Sequence, residues 1–234
     1  ATQASDIGVL AAVHFVLGLF AAVGFAPLMS DISHWFLKWR GTAMALVASA
    51  NYLSGAVWPT VLAGVLAQSG WRAVYLTLAV ITVVVVPFLA MLLRRQVPDA
   101  AVGATVETIS NSANISMSPA RLQICLGFAG VACCVAMSMP QVHIVSYCVG
   151  LGYGPVAGAE MLALMLFGGV LSRIFFGLLS DRLGGVRTLL LGSALQCLGL
   201  AFYLPYDGLV SLYTVSLIFG LSQGGIVPSY ALIV

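Results

Sequence analysis

Seven apolar runs, at 8–30, 42–66, 72–93, 122–147, 158–180, 186–204 and 209–234, take up nearly the whole chain. Each is long enough to cross a hydrocarbon core of about 30 Å as a helix rising 1.5 Å per residue. A soluble domain could not hide so much apolar surface. Only 7% of the residues are charged and 61% are hydrophobic, whereas a soluble domain carries about 25% charged residues. The outer surface must therefore face lipid, where every backbone N–H and C=O needs an internal partner and a helix supplies it. The expectation is an all-α, polytopic membrane helical bundle of about seven transmembrane helices.

The same composition narrows the function classes. The nine Lys and Arg residues are scattered over short loops and make no basic face for nucleic acid. Cys125, Cys133, Cys134, Cys148 and Cys197 lie in or beside apolar runs without metal-ligand spacing, so they read as small apolar fillers, and no metal or cofactor is expected. The first 37 residues hold no Lys or Arg, so the opening run lacks the basic start of a signal peptide and reads as a span.

Turn signals separate the runs at 30–41, 68–72, 150–155, 180–185 and 205–208, and one longer linker, 96–120, is rich in Ser, Ala, Asn and Thr. Lys38, Arg40, Arg94, Arg95, Arg121, Arg182 and Arg187 fall in alternate loops, Arg72 stands on the other side and Arg173 lies within a span. Because short cytoplasmic loops collect Lys and Arg, the linker is expected inside, with 67–71, 148–157 and 205–208 outside. The sequon Asn114-Ile115-Ser116 would then carry no glycan. An odd number of spans, a start without Met and an end at Val234 without a flanking charge read as an excerpt of a longer protein.

The sharpest local signal is the charged turn Gly177-Leu178-Leu179-Ser180-Asp181-Arg182-Leu183-Gly184-Gly185-Val186-Arg187-Thr188-Leu189. Gly184 and Gly185 permit a left-handed turn, Asp181 is expected at the positive end of the next helix, and Arg182 and Arg187 at the headgroups. Composition alone leaves an ordinary hairpin equally open.

The pattern G-x-L-x-D-R-x-G-x-x-x-x-L resembles the signature loop of the major facilitator superfamily. It is met at Gly177, Leu179, Asp181, Arg182, Gly184 and Leu189, while Gly185 and Val186 replace basic residues usual in the family. Trp35-Phe36 with Arg40-Gly41-Thr42-Ala43, Gly70-Trp71-Arg72, and Pro140-Gln141-Val142-His143-Ile144-Val145 with Tyr147 resemble the monocarboxylate-porter and oxalate/formate-exchanger branch. The resemblance implies helices four to ten of twelve. Residues 1–95 would be the last three helices of the N-terminal bundle, 96–120 the central cytoplasmic loop, and 121–234 the first four helices of the C-terminal bundle. It also implies an inner-gate loop of Gly177, Asp181, Arg182, Gly184 and Arg187, and a monomeric integral protein of the cell membrane.

Arg173 precedes Asp181 by eight positions, about 12 Å up the helix and close to mid-membrane. A guanidinium there should meet a partner or a cavity, and its fork suits a carboxylate; structural bonding to helix ends is the other reading. Arg173 with Gly177 also resembles the eighth helix of monocarboxylate porters, in which an Asp one turn earlier is implicated in proton coupling; Gly169 stands there. His143 could contact a proton or an anion near the outer end of its helix, or pack. Asn51 and Tyr52 could line a cavity or bond neighbouring helices. His14 and Glu160 have weaker claims, and Gly150-Leu151-Gly152-Tyr153-Gly154 reads as a turn.

The expected function is secondary transport of a small organic anion, monocarboxylate-like, by alternating access, with a coupling proton as a further partner and Arg173, His143, Asn51 and Tyr52 as substrate residues. A drug or neutral-solute exporter is the alternative within transport. A receptor-like protein or an intramembrane enzyme is the alternative outside it, and no enzyme activity is expected.

Overall fold

The computed structural model describes residues 6–36, 38–92 and 118–233, and every regular element among them is a helix. They are α1 (Ile7–Trp35), α2 (Arg40–Leu92), α3 (Pro119–Gly150), α4 (Gly154–Leu183), α5 (Gly185–Ala201), α6 (Leu209–Ser222) and α7 (Ile226–Ile233). Local chemistry sets several ends. The Asp6 carboxylate accepts from Gly8 N at 2.7 Å at the start of α1, and prolines occupy the first positions of α3 and α4, where a missing N–H costs nothing. All but the last three residues of the 96–120 linker lie outside the described residues, as do Arg94 and Arg95.

Two of the seven apolar runs share one helix. The turn expected at 68–72 is a single interruption: Gly70, at φ 74 and ψ 177, breaks α2 while both neighbours stay helical. Only glycine enters that region without strain. At 53 residues, α2 would run about 80 Å if straight, more than twice a bilayer core. It instead folds back at Gly70, since Trp58, Pro59, Leu62 and Leu66 of the first arm line one groove with Val74 and Leu78 of the second. The last run is split the other way, into α6 and α7 around Gln223, Gly224 and Gly225. Among the described residues, four helices satisfy length and apolarity for a membrane span, counting both arms of α2 as one and α6 with α7 as one; Gly185–Ala201 is a shorter apolar helix.

The core sits around α4. Ile144 and Cys148 of α3, Met161 and Met165 of α4, and Leu212 and Phe219 of α6 form one buried cluster, and Met29, Met44 and Ala48 join α1 to α2 in another. Large apolar side chains of the helices, such as Val83, Phe128 and Val210, point outward, as expected where lipid is the solvent. Without a hydrophobic force between helices in lipid, close approach depends on small residues. A Cβ on Gly158 would lie 2.6 Å from Val145 Cα, and one on Gly220 would collide with the carbonyl of Met165. Gly220→Ala is therefore expected to cost about 1–3 kcal/mol, read as a fall in Tm in detergent micelles. An unchanged Tm would show that α4 and α6 can part without loss.

Candidate functional site

The most extensive helix contact joins the first arm of α2 to α4. Gly41, Ala45, Ala48, Tyr52 and Gly55 recur every three or four residues and so share one face of α2. Running antiparallel on α4, they meet Ser180 and Asp181, Gly177, Arg173, Gly169 and Leu166 in turn. A Cβ on Gly177 would come within 2.6 Å of Ala45 Cβ, so glycine there is what lets the two backbones touch.

Midway along this seam lies Arg173, 2% exposed. Its Nη1 donates to the carbonyl of Ala48, and its guanidinium carbon stands 4.1 Å from the centre of the Tyr52 ring. A desolvated cation over an aromatic face gains about 2 kcal/mol, which offsets part of the cost of burying a charge. Its Nε has no hydrogen-bond partner. Tyr52 is buried and donates its hydroxyl to Met137 Sδ on α3 at 3.3 Å. Gly169 lies beneath the ring: a Cβ there would be 2.9 Å from Tyr52 Cε2. A carboxylate side chain at 169 would displace Tyr52 from Arg173, so the two arrangements exclude each other.

The charged end of the seam corrects one sequence expectation. Asp181 does not cap the helix that follows it; it belongs to the last turn of α4. Its carboxylate accepts from the backbone N–H groups of Gly41 at 2.7 Å and Thr42 at 3.0 Å, and from Thr42 Oγ1 at 2.6 Å. These are the open donors and the positive dipole end of α2, some 140 positions earlier in the chain. Gly184, at φ 81, turns the chain into α5, and Arg182 and Arg187 are exposed around it.

The remaining expected residues are dispersed. Asn51 and His143 are exposed, next in sequence to the buried Tyr52 and Ile144, and neither is brought to Arg173 by any described contact. His14 Nε2 pairs with the Tyr75 hydroxyl at 2.9 Å, joining α1 to the second arm of α2. Glu160 accepts from the Tyr213 hydroxyl. The 150–154 segment is the turn expected of it, with Gly152 and Gly154 at φ 84 and the Tyr153 hydroxyl donating to Asp207 O at 3.1 Å. Sequence reasoning passed over Gln223, which is fully buried between α6 and α7, accepts from Gln141 Nε2 at 3.1 Å and keeps an Nε2 without a partner. An amide inside an apolar run was the available signal.

Comparison with known proteins agrees with this architecture. The chain is 23% identical over 221 residues to the agnestins efflux protein AgnL12 of Paecilomyces divaricatus, covering 91% of this chain and 48% of that protein. It is 23% identical over 211 residues to monocarboxylate transporter 13 of Rattus norvegicus, covering 88% and 48%. With monocarboxylate transporter 11 of Homo sapiens the identity is 29% over 192 residues, covering 79% and 40%. The chain thus spans about half the length of the curated relatives it matches. No solved structure matches it. With apolar helices packed through small residues, and with the Major Facilitator Superfamily profile matching residues 1–234, this chain belongs to the Major Facilitator Superfamily.

Proposed function

We propose that this chain is the central portion of a secondary transporter that moves a small, monocarboxylate-like organic anion by alternating access. In this reading residues 1–95 end the N-terminal bundle, 96–120 form the central cytoplasmic loop and 121–234 begin the C-terminal bundle. The α2–α4 seam is then the surface on which the two bundles rock. The observation that carries the proposal is Arg173: a cation buried between helices from either side of the linker, with Nε unpaired. A buried guanidinium lacking one acceptor offers a carboxylate a charge-assisted bond, and monocarboxylate transporters are among the relatives.

Asp181 holds the α2 N-terminus at the end where Lys38, Arg40, Arg182 and Arg187 gather, the cytoplasmic end by loop charge. That latch supports a state closed on the inside, whose opening requires Asp181 to release Gly41 and Thr42. Tyr52 over Gly169 supports coupling by exchange or by a proton carried elsewhere than at position 169. A second reading, a drug or neutral-solute exporter, is favoured by the bond from Arg173 to Ala48 O, which serves structure, and by an efflux protein among the relatives.

Counterflow in proteoliposomes separates them. The whole transporter, loaded with unlabelled short monocarboxylates, is expected to accumulate the labelled acid above equilibrium and to ignore neutral drugs. Accumulation of neutral drugs with none of any organic anion would overturn the proposal.

A further inference from the structure

The last span breaks at Gln223, Gly224 and Gly225, between α6 and α7. In an unbroken helix Leu221 O would accept from the Gly225 N–H, and the Gly224 N–H would donate to Gly220 O. Gly224 and Gly225 are buried, where a backbone group without a partner is costly. One hydroxyl serves both sides of the break. Ser172 Oγ of α4 donates to Leu221 O at 2.5 Å and accepts from Gly224 N at 3.1 Å.

Other helix serines of this chain bond locally. Ser49, Ser180, Ser222 and Ser229 each donate to a carbonyl three or four positions back, the bond such hydroxyls favour within a helix. Ser172 instead leaves its own helix, and the chain is shaped to let it. A Cβ on Gly224 would strike the backbone of Ser172 and Arg173, and one on Gly225 would strike the Phe176 ring. Neither glycine adopts a positive φ, so closeness to α4, not a left-handed turn, calls for glycine here. Beyond the break, α7 packs mainly on α5 and on α2. The chain entering α7 is what lies on α4, through Ser172 and Phe176.

We propose that Ser172 is the pin of this break: its hydroxyl ties the end of α6 and the chain entering α7 to α4, so that α7 follows α4 as the two halves of the transporter rock. The motion rests on the transporter reading above; the bonding does not. Because α7 leans on α2, a helix from the other side of the linker, where α7 lies decides how the two halves meet. Without the hydroxyl, Leu221 O and Gly224 N lose their shared partner, the break opens to exchange and α7 lags behind α4.

The test is hydrogen exchange of the whole transporter in lipid nanodiscs, with counterflow of a labelled monocarboxylate alongside. In Ser172→Ala the peptide covering 222–226 is expected to exchange about tenfold or more faster, measured against a peptide from 190–199 of α5 in the same protein. Maximal counterflow is expected to fall about tenfold at an unchanged half-saturating concentration. Ser172→Cys fills the same place with a poor hydrogen-bonding group and is expected to behave as Ser172→Ala does. Wild-type exchange at the break in Ser172→Ala, or its restoration by Ser172→Cys, would mean that no bond holds the break and overturns the proposal. An equal rise in α5 overturns it as well, since Ser172 would then be an ordinary packing residue. So does an unchanged maximal rate, because α7 would not follow α4, or a changed half-saturating concentration alone, which would make Ser172 a solute contact. A wild-type protein that exchanges no carboxylate overturns the monocarboxylate reading by itself, and hydrogen exchange still decides on the pin.

Discussion

Replacing Arg173 by alanine is expected to reduce monocarboxylate counterflow by about 100-fold or more. A hydrogen bond to a charged group is worth about 1.5–3 kcal/mol, and about 1.4 kcal/mol corresponds to each factor of ten. Arg173→Lys keeps the charge but loses the fork and the guanidinium contact with the Tyr52 ring, so it is expected to recover only a minor part. The measurement is initial counterflow per reconstituted transporter, with Tm alongside, because the Nη1 bond to Ala48 O also joins α2 to α4. Wild-type counterflow in both variants would remove Arg173 from solute binding. A lowered Tm with transport intact would leave it a structural residue, as the exporter reading requires.

The second large effect is expected at Asp181. Its carboxylate satisfies two backbone donors and one hydroxyl of α2, and with one partner removed, these part-buried donors lose their acceptor at about 1–3 kcal/mol each. Taking about 3 kcal/mol as the net loss, Asp181→Ala shifts the balance between latched and released states by about 100-fold. Hydrogen exchange of a peptide covering Gly41 and Thr42 reports this directly: both N–H groups should lose protection in Asp181→Ala, with intermediate protection in Asp181→Asn, which keeps an acceptor but not the charge. Exchange indistinguishable from wild type would mean that the seam is held by its small residues alone. Gly41 has room for no side chain, since a Cβ would meet Ser180 Oγ and Asp181, which binds the latch to the same close approach.

Much of the fold was legible because lipid imposes simple rules. Run length, the need to satisfy backbone groups and the glycines of the 177–189 turn led to helices whose positions the structure keeps, with α3, α4 and α5 beginning within a few residues of the expected starts. Arg173 was legible for the same reason, since a lone charge in an apolar run has to be explained. The partners of these residues were not. Asp181 was assigned to the helix next in sequence, yet its acceptor geometry serves α2. Gly169 was read as a missing carboxylate, yet its bare Cα is the floor under Tyr52. Asn51 and Tyr52 are neighbours in sequence, but about 100° of helical rotation sends one outward and the other onto Arg173.

The sequence by itself determined that this is a helical membrane protein, which segments are apolar enough to cross, and that Arg173 and Asp181 are its unusual charges, because hydropathy and burial cost act on each segment separately. Only the tertiary structure decided that Arg173 stands on Tyr52, that Asp181 caps a helix from the other side of the linker, and that Gln141 and Gln223 meet at a break in the last span. Those pairings depend on which small residues let which backbones touch, and that is a property of two surfaces together that neither segment carries alone.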